Sequence, residues 1–305
     1  MKVMITGAGG FIGRELVKVF ERNNCDVIAV LRDEGQVAAY KNISCVLENK
    51  RELIKLLGGE TIDVCIHLAW NGSSGKKRSD YQTQLANIEN TLALCEALKV
   101  LRVKRFVGVG SSAENDTLQY IPQPGATPNS AAIYGVAKQT AHFMSKVLCT
   151  QLEIEHIWCQ LSNVYGRGDR SENFINYACK VFLNRERATF TAGEQMYDFV
   201  YVSDVANAIF CAAMNGISNR CYYLGSGKPR RLKEYIFAIR NAVDPTYELH
   251  LGEIPYNGVS VDYQKLNDTI AYNEIGYYPK VFFEEGVFRT VSWLKSEMEM
   301  NDGKI

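Results

Sequence analysis

Short apolar runs alternate with amphipathic stretches through the first half of the chain. Lys2-Val3-Met4-Ile5-Thr6 is apolar almost throughout and stops at a glycine; the segment after it sets Phe11, Leu16, Val17 and Phe20 at helical spacing. Residues 27–31, 64–68 and 105–109 repeat the first pattern, and 154–158 reads as a further strand. Strands apolar on both faces, separated by helices, belong to a parallel sheet covered on both sides. The pattern predicts a doubly wound α/β fold.

Two long helices follow from the same periodicity. Residues 80–100 carry Leu85, Ile88, Leu92, Cys95 and Leu98 on one stripe, with Leu94 and Ala97 on a second edge. Residues 134–148 carry Val136, Ala137, Ala141, Met144, Val147 and Leu148. Beyond residue 165 the pattern loosens into Gly166-Arg167-Gly168-Asp169-Arg170-Ser171, and a strand-then-helix pattern returns over 198–214. The expected division is a dinucleotide-binding unit of 1–165 plus 196–222, a smaller, mostly C-terminal substrate-binding unit of 166–195 plus 223–290, and a C-terminal helix and tail, 291–305.

Composition narrows the class. At 305 residues the chain has room for about two domains. Lys+Arg 34 balance Asp+Glu 34, so no global basic field draws nucleic acid or an acidic membrane. No apolar run reaches the ~20 residues of a membrane helix, and the apolar start meets glycine too soon for a signal peptide. Nine cysteines without a C-x-x-C argue against a disulfide framework, and four scattered histidines suggest no metal site. A cytoplasmic protein is expected.

Gly7-Ala8-Gly9-Gly10-Phe11-Ile12-Gly13 joins the first strand to the first helix. This G-x-x-G-x-x-G spacing lets the chain turn sharply and brings backbone N–H groups and a helix N-terminus against a pyrophosphate. The expected fold is therefore Rossmann-type, with Gly7, Gly10, Phe11, Ile12 and Gly13 against the dinucleotide. At the end of the second strand, an acid would accept from the ribose 2′-OH of NAD. Leu31 holds that place instead, and Arg32 follows as a partner for the 2′-phosphate of NADP. Asp33 comes next, to tether Arg32 or to accept from the ribose itself. NADP(H) is favoured over NAD(H).

Tyr134 and Lys138 stand at i and i+4 on one helix face. An ammonium beside a phenol stabilises the phenolate and brings its ordinary pKa of ~10 towards the working range. Ser111-Ser112 closes a strand at the carboxyl edge, where open α/β sheets place their chemistry and a hydroxyl can hold a substrate oxygen.

In chain order, the run Thr6 to Gly13, His67-Leu68-Ala69, Asn87, Gly110-Ser111-Ser112-Ala113-Glu114, Tyr134 to Lys138, Ser162-Asn163-Val164-Tyr165-Gly166 and the run Asp198 to Ala206 resemble the extended short-chain dehydrogenase/reductase superfamily. That superfamily holds nucleotide-sugar epimerases, dehydratases and reductases. The resemblance implies Ser112, Tyr134 and Lys138 as the catalytic set. It places Leu68, Ala69, Trp70 and Asn87 along the cofactor, with Lys138 on the nicotinamide ribose and Glu48 near the adenine. It places Ser112, Glu114, Asn163, Asn173 and Phe174 at a nucleoside-diphosphate sugar. Relatives of this kind commonly pair through two long helices, so a homodimer is expected.

The departures bear on the reaction. Dehydratases of this group carry Thr-Asp-Glu where Ser112-Ala113-Glu114 stands, and Ala113 supplies neither acid nor base, so dehydration is disfavoured. Gln160 and Tyr197 replace arginines common in the group, and no arginine between Asn257 and Leu266 matches the usual diphosphate ligand. Arg167, Arg170, Arg230 and Arg231 are the remaining candidates. The expectation is an NADPH-dependent reductase of a nucleoside-diphosphate 4-keto-6-deoxy sugar; the alternative is an NAD-dependent nucleotide-sugar 4-epimerase.

Overall fold

The computed structural model describes residues 1–33, 35, 37–119, 125, 128–256, 262, 263, 266 and 269–302. Most of 257–266, where no diphosphate arginine was found in the sequence, lies outside the described residues. The first half of the chain forms β1 (Lys2–Thr6), α1 (Phe11–Arg22), β2 (Asp26–Leu31), β3 (Lys41–Ser44), α2 (Lys50–Leu57), β4 (Val64–His67), α3 (Tyr81–Val100), β5 (Arg105–Ser111), α4 (Ala113–Leu118) and α5 (Ala132–Gln151). The second half forms β6 (Glu155–Leu161), β7 (Asn163–Tyr165), α6 (Phe174–Leu183), β8 (Thr189–Phe190), β9 (Met196–Tyr197), β10 (Phe199–Tyr201), α7 (Val202–Asn215), β11 (Cys221–Leu224), β12 (Arg230–Arg231), α8 (Leu232–Val243), β13 (His250–Leu251), α9 (Thr269–Ile275) and α10 (Phe283–Asp302).

Seven strands make one sheet in the order β11-β6-β5-β4-β1-β2-β3, with every pairing parallel. This is the Rossmann-type doubly wound sheet that the alternation predicts. Successive side chains of β1 serve opposite faces: Val3 and Ile5 pack with α1 and α7, Met4 with residues of α3 and α5. The strand order reverses between β1 and β4, where Thr6 pairs with both Val30 and His67. Loops leaving β1 and β4 therefore open at one carboxyl edge, the place where such sheets bind ligands.

A third core lies among α6, α8 and α10, around Tyr165, Phe182, Phe199, Tyr235, Val287 and Leu294. Helix α9 instead packs on α7 and β11, so part of the 223–290 stretch sits on the large sheet. The two long helices start and stop close to expectation, but their stripes differ. In α5 the small residues Ala137, Ala141, Ser145 and Cys149 face inward, leaving Val136, Phe143, Met144 and Val147 exposed. Leu85 of α3 is exposed as well. Among the described residues, no helix is long and apolar enough to cross a membrane.

Candidate active site

The turn after β1 is built from backbone. Gly7 N donates to Val30 O at 3.1 Å and Gly10 N to Gly7 O at 3.0 Å. Gly7 has φ 72°, and a Cβ there would meet Ala69 N at 2.7 Å; a Cβ on Gly13 would meet Gly7 O at 2.2 Å. The N-terminus of α1 has no side-chain cap and no acid in its first turn. A glycine cradle opening on an uncapped helix N-terminus fits a pyrophosphate.

From this cradle a cleft of about 880 Å³ runs along the carboxyl edge, past Arg32 and Glu48 on one side and to Tyr134, Asn163 and Phe174 on the other. The sequence-predicted residues Gly7, Gly10, Phe11, Ile12, Gly13, Leu68, Ala69, Trp70, Asn87, Ser112 and Asn173 line it too; Lys138 and Glu114 do not. Arg32 projects into solvent, its Nε 3.2 Å from Asp33 Oδ2. Glu48 accepts from Asn90 Nδ2 at 2.9 Å.

Loop 68–71 is held from beneath. Thr91 Oγ1 donates to Asn87 O at 2.8 Å, so it accepts from Nε2 of His67, 3.0 Å away. The unprotonated Nδ1 of His67 then accepts from Thr6 Oγ1 at 2.8 Å, and Thr6 Oγ1 accepts from Ala69 N. Burial holds His67 neutral, with its pKa near 3 and the charge of Lys138 adding to the effect. Asn87 commits its amide to both backbone groups of Asn71, at 2.9 and 2.8 Å. Its work is to fix the cleft wall.

Tyr134 is buried on α5 and opens on the cleft. Burial pushes its phenol up; the main opposing effect is the Arg78 guanidinium, joined by the Ser111 hydroxyl. Lys138 Nζ donates to Val109 O at 2.7 Å and lies 3.7 Å from the indole centre of Trp70. Burial brings Lys138 down to about 7, against the pull of Glu114 and with the push of Arg78. Both serines of the pair line the cleft, and the Ser111 hydroxyl favours the Tyr134 phenolate.

Glu114 is placed behind the cleft rather than on the substrate side. Its carboxylate accepts from Ser111 N at 2.8 Å and from Trp158 Nε1 at 3.2 Å, and lies 3.3 Å from His142 Nδ1. Asn173 caps α6 through Asn176 N, Phe174 stacks on Phe199, and Asn163 donates to Asp198 O. The candidate arginines point elsewhere: Arg170, Arg230 and Arg231 pair with Glu297, Glu284 and Glu194, and Arg167 does not line the cleft. The arginines that do are Arg14, Arg32 and Arg78.

Arg78 and Asp116 are charged groups of the cleft that were not anticipated. Arg78 places its guanidinium carbon 4.0 Å from the ring centre of Tyr134. Asp116 lines the cleft on α4, raised by burial to about 6 against the opposing charge of Arg78, and its Oδ1 is buried without a hydrogen bond among the described residues.

A pyrophosphate cradle that ends beside a buried phenol is the working layout of NAD(P)-dependent enzymes of the extended short-chain dehydrogenase/reductase class. The chain belongs to the NAD dependent epimerase/dehydratase family, whose profile matches residues 3–225. It is 28% identical over 257 residues to CDP-abequose synthase of Salmonella typhimurium, spanning 80% of this chain and 81% of that one. It is 24% identical over 322 residues to UDP-glucose 4-epimerase of Mycolicibacterium smegmatis, spanning 98% and 100%. Among solved structures, UDP-glucose 4-epimerase of Thermotoga maritima with UDP-glucose has a TM-score of 0.80 at 21% identity, covering 98% of this chain and 100% of that one. The Bordetella bronchiseptica enzyme WbmF with NADH has a TM-score of 0.78 at 23% identity, covering 99% and 94%. These structural likenesses show the shared fold.

Proposed function

We propose that the protein is an NADPH-dependent reductase of a nucleoside-diphosphate 4-keto-6-deoxy sugar, working as a homodimer. The observation that carries this reading is the buried phenol of Tyr134, opening on the same cleft that begins at the pyrophosphate cradle. A nucleotide sugar as substrate is supported by the relatives, named for CDP-abequose and UDP-glucose. When bound, a reduced nicotinamide would supply the hydride for the carbonyl carbon at C4. Tyr134 gives its proton to the C4 oxygen, so the carbonyl becomes C–H and O–H and the phenol is left as phenolate. A hydroxyl of the Ser111–Ser112 pair would hold that oxygen, Ser112 by resemblance and Ser111 by its place in the same cleft and its pull on the phenol. Lys138, one turn along α5 from Tyr134, would hold the nicotinamide ribose on leaving its bond to Val109 O, since it does not line the cleft. The reduced phosphate form is favoured by Leu31 at the end of β2, where an acid would repel a 2′-phosphate, and by Arg32 on the cleft rim.

A redox-neutral NAD-dependent 4-epimerase is the second reading. One observation favours it: Asp33 also lines the cleft beside Arg32 and offers a carboxylate to a ribose hydroxyl. The test adds NADPH and a panel of nucleoside-diphosphate 4-keto-6-deoxy sugars to the protein and follows the near-ultraviolet absorbance of the reduced nicotinamide. Loss of absorbance with one sugar supports the reductase. No loss with any sugar, together with NAD released from the heat-denatured protein, would transfer the case to the epimerase.

A further inference from the structure

The geometry points to Arg78 as a positioning residue that acts through Tyr134: its guanidinium lies on the ring of Tyr134 and holds the negative charge left when that phenol gives up its proton. The inference rests on the reading of Tyr134 as the acid/base group. It adds a second cation to the one expected from the sequence.

The placement is built rather than incidental. Arg78 belongs to a short 3-10 turn, Lys76–Ser79, between β4 and α3. Gln84, a buried polar residue of α3, donates from Nε2 to Gly72 O at 3.0 Å and to Lys77 O at 2.9 Å, and accepts from Trp70 Nε1 at 2.9 Å. One side chain thus ties the start of the loop, its end and the indole beside Tyr134. Gly72 has φ 73°, and a Cβ there would meet Lys77 O at 2.7 Å, so the loop closes tightly only with glycine at that position. Arg78 Nη1 donates to Ser73 O at 2.7 Å, fixing the guanidinium itself. What remains of that group faces the phenol, 4.0 Å from the ring centre.

The electrostatics need such a charge. Tyr134 is faced by Arg78 from the 3-10 turn, Ser111 from β5, Glu114 from α4 and Trp70 from the loop after β4, with Lys138 one turn along α5. Arg78 in turn faces Asp116 of α4 and repels Lys138. Burial and Glu114 oppose the phenolate; Arg78 and Ser111 favour it. Lys138 is held near 7, so at neutral pH its charge is fractional. A guanidinium does not lose its proton under these conditions. A permanent cation therefore lies on the ring whatever the protonation of the buried ammonium.

The test requires no substrate. The full chain is prepared with tyrosine carrying carbon-13 at Cζ, the Tyr134 resonance is assigned from its loss in Tyr134→Phe, and its titration is followed by NMR. In Arg78→Gln the midpoint is expected to rise by about one pH unit or more, a roughly tenfold fall in phenolate at a given pH. Arg78→Lys, which keeps a charge but loses the planar contact, is expected to fall between the two. Far-UV circular dichroism establishes that each variant is folded. Equal midpoints in wild type and Arg78→Gln, or a Tyr134 that does not titrate before the folded wild type unfolds, overturns the role. Because the readout contains no sugar, failure here leaves the reductase reading standing, and failure of every sugar leaves this titration untouched.

Discussion

Lys138 and Trp70 form a cation–π pair, the ammonium 3.7 Å from the indole centre, with the Tyr134 ring edge-on to the same indole at 6.2 Å. Burial works against the Lys138 proton, and the Val109 carbonyl, the charge of Glu114 and the indole face each favour its charged form. Trp70 thus joins the two groups whose protonation the proposed reaction would use.

Replacing that face has a definite sign. Trp70→Leu removes an interaction of about 2 kcal/mol at a desolvated site, destabilising the charged form and moving Lys138 below its value near 7. The activity that depends on charged Lys138 is lost as pH rises through its midpoint, so this limb of the pH–rate profile moves to lower pH by about one unit. Trp70→Phe retains a π face and most of the activity. A Trp70→Leu profile superimposable on wild type would remove Trp70 from this role.

The proposed preference for NADPH is tested at the rim of the cleft. If Arg32 grips a 2′-phosphate, Arg32→Ala loses a charge-assisted contact of ~1.5–3 kcal/mol, raising KM for NADPH by roughly tenfold to a hundredfold while leaving KM for NADH unchanged. Steady-state kinetics with both cofactors reads the selectivity directly. Equal effects on the two would return the choice to Asp33 and NAD.

The parallel sheet, the glycine cradle and the Tyr134–Lys138 spacing were legible because each is written in local period or fixed offset. Arg78 was not. Lys76-Lys77-Arg78 after Gly72-Ser73-Ser74-Gly75 has the composition of a solvated loop, and what turns one of its charges inward is the amide of Gln84. The signal was present as a buried polar residue in α3, but burial of a glutamine leaves no mark on the sequence. Asp116 lies on a helix of six residues, too short to show a period. Glu114 illustrates the converse error. Resemblance supplied its position, but the side chain turns away to Ser111 N and the Trp158 indole, a direction that only the packed interior sets.

Acid should weaken the fold through two buried imidazoles. His67 and His156 are held near 3 in the folded state, chiefly by burial, against an ordinary value of 6.5. The unfolded chain therefore binds the extra protons between those values, and the stability present above about pH 6.5 is lost as pH falls, by roughly 1.4 kcal/mol per pH unit for each group. Asp116, Asp198 and Asp204, raised by burial, act in the opposite sense, since their folded forms take up protons first. The histidine contribution is therefore read as a difference: the urea midpoint of wild type should fall more on acidification than that of His67→Gln. Parallel curves would show that His67 is not held neutral.

The outer face of the α3–α5 pair carries the prediction of a second copy. α5 exposes Val136, Phe143, Met144 and Val147, and α3 adds Tyr81 and Leu85, with Phe143 at 56% and Val147 at 59% exposure. These residues lie on neighbouring packed helices, and an apolar patch on two adjacent helices suits a self-complementary contact between copies, four helices in all. Light scattering at micromolar concentration should give twice the chain mass. Carboxylates at Phe143→Glu and Val147→Glu, four residues apart on one face, would have to be desolvated against their own copies across the two-fold, so the double variant should be a folded monomer. The inward residues Ala137, Ala141 and Cys149 are untouched by those changes, so far-UV circular dichroism should be retained. A wild-type protein already monomeric at that concentration would leave this face without a second copy to cover it.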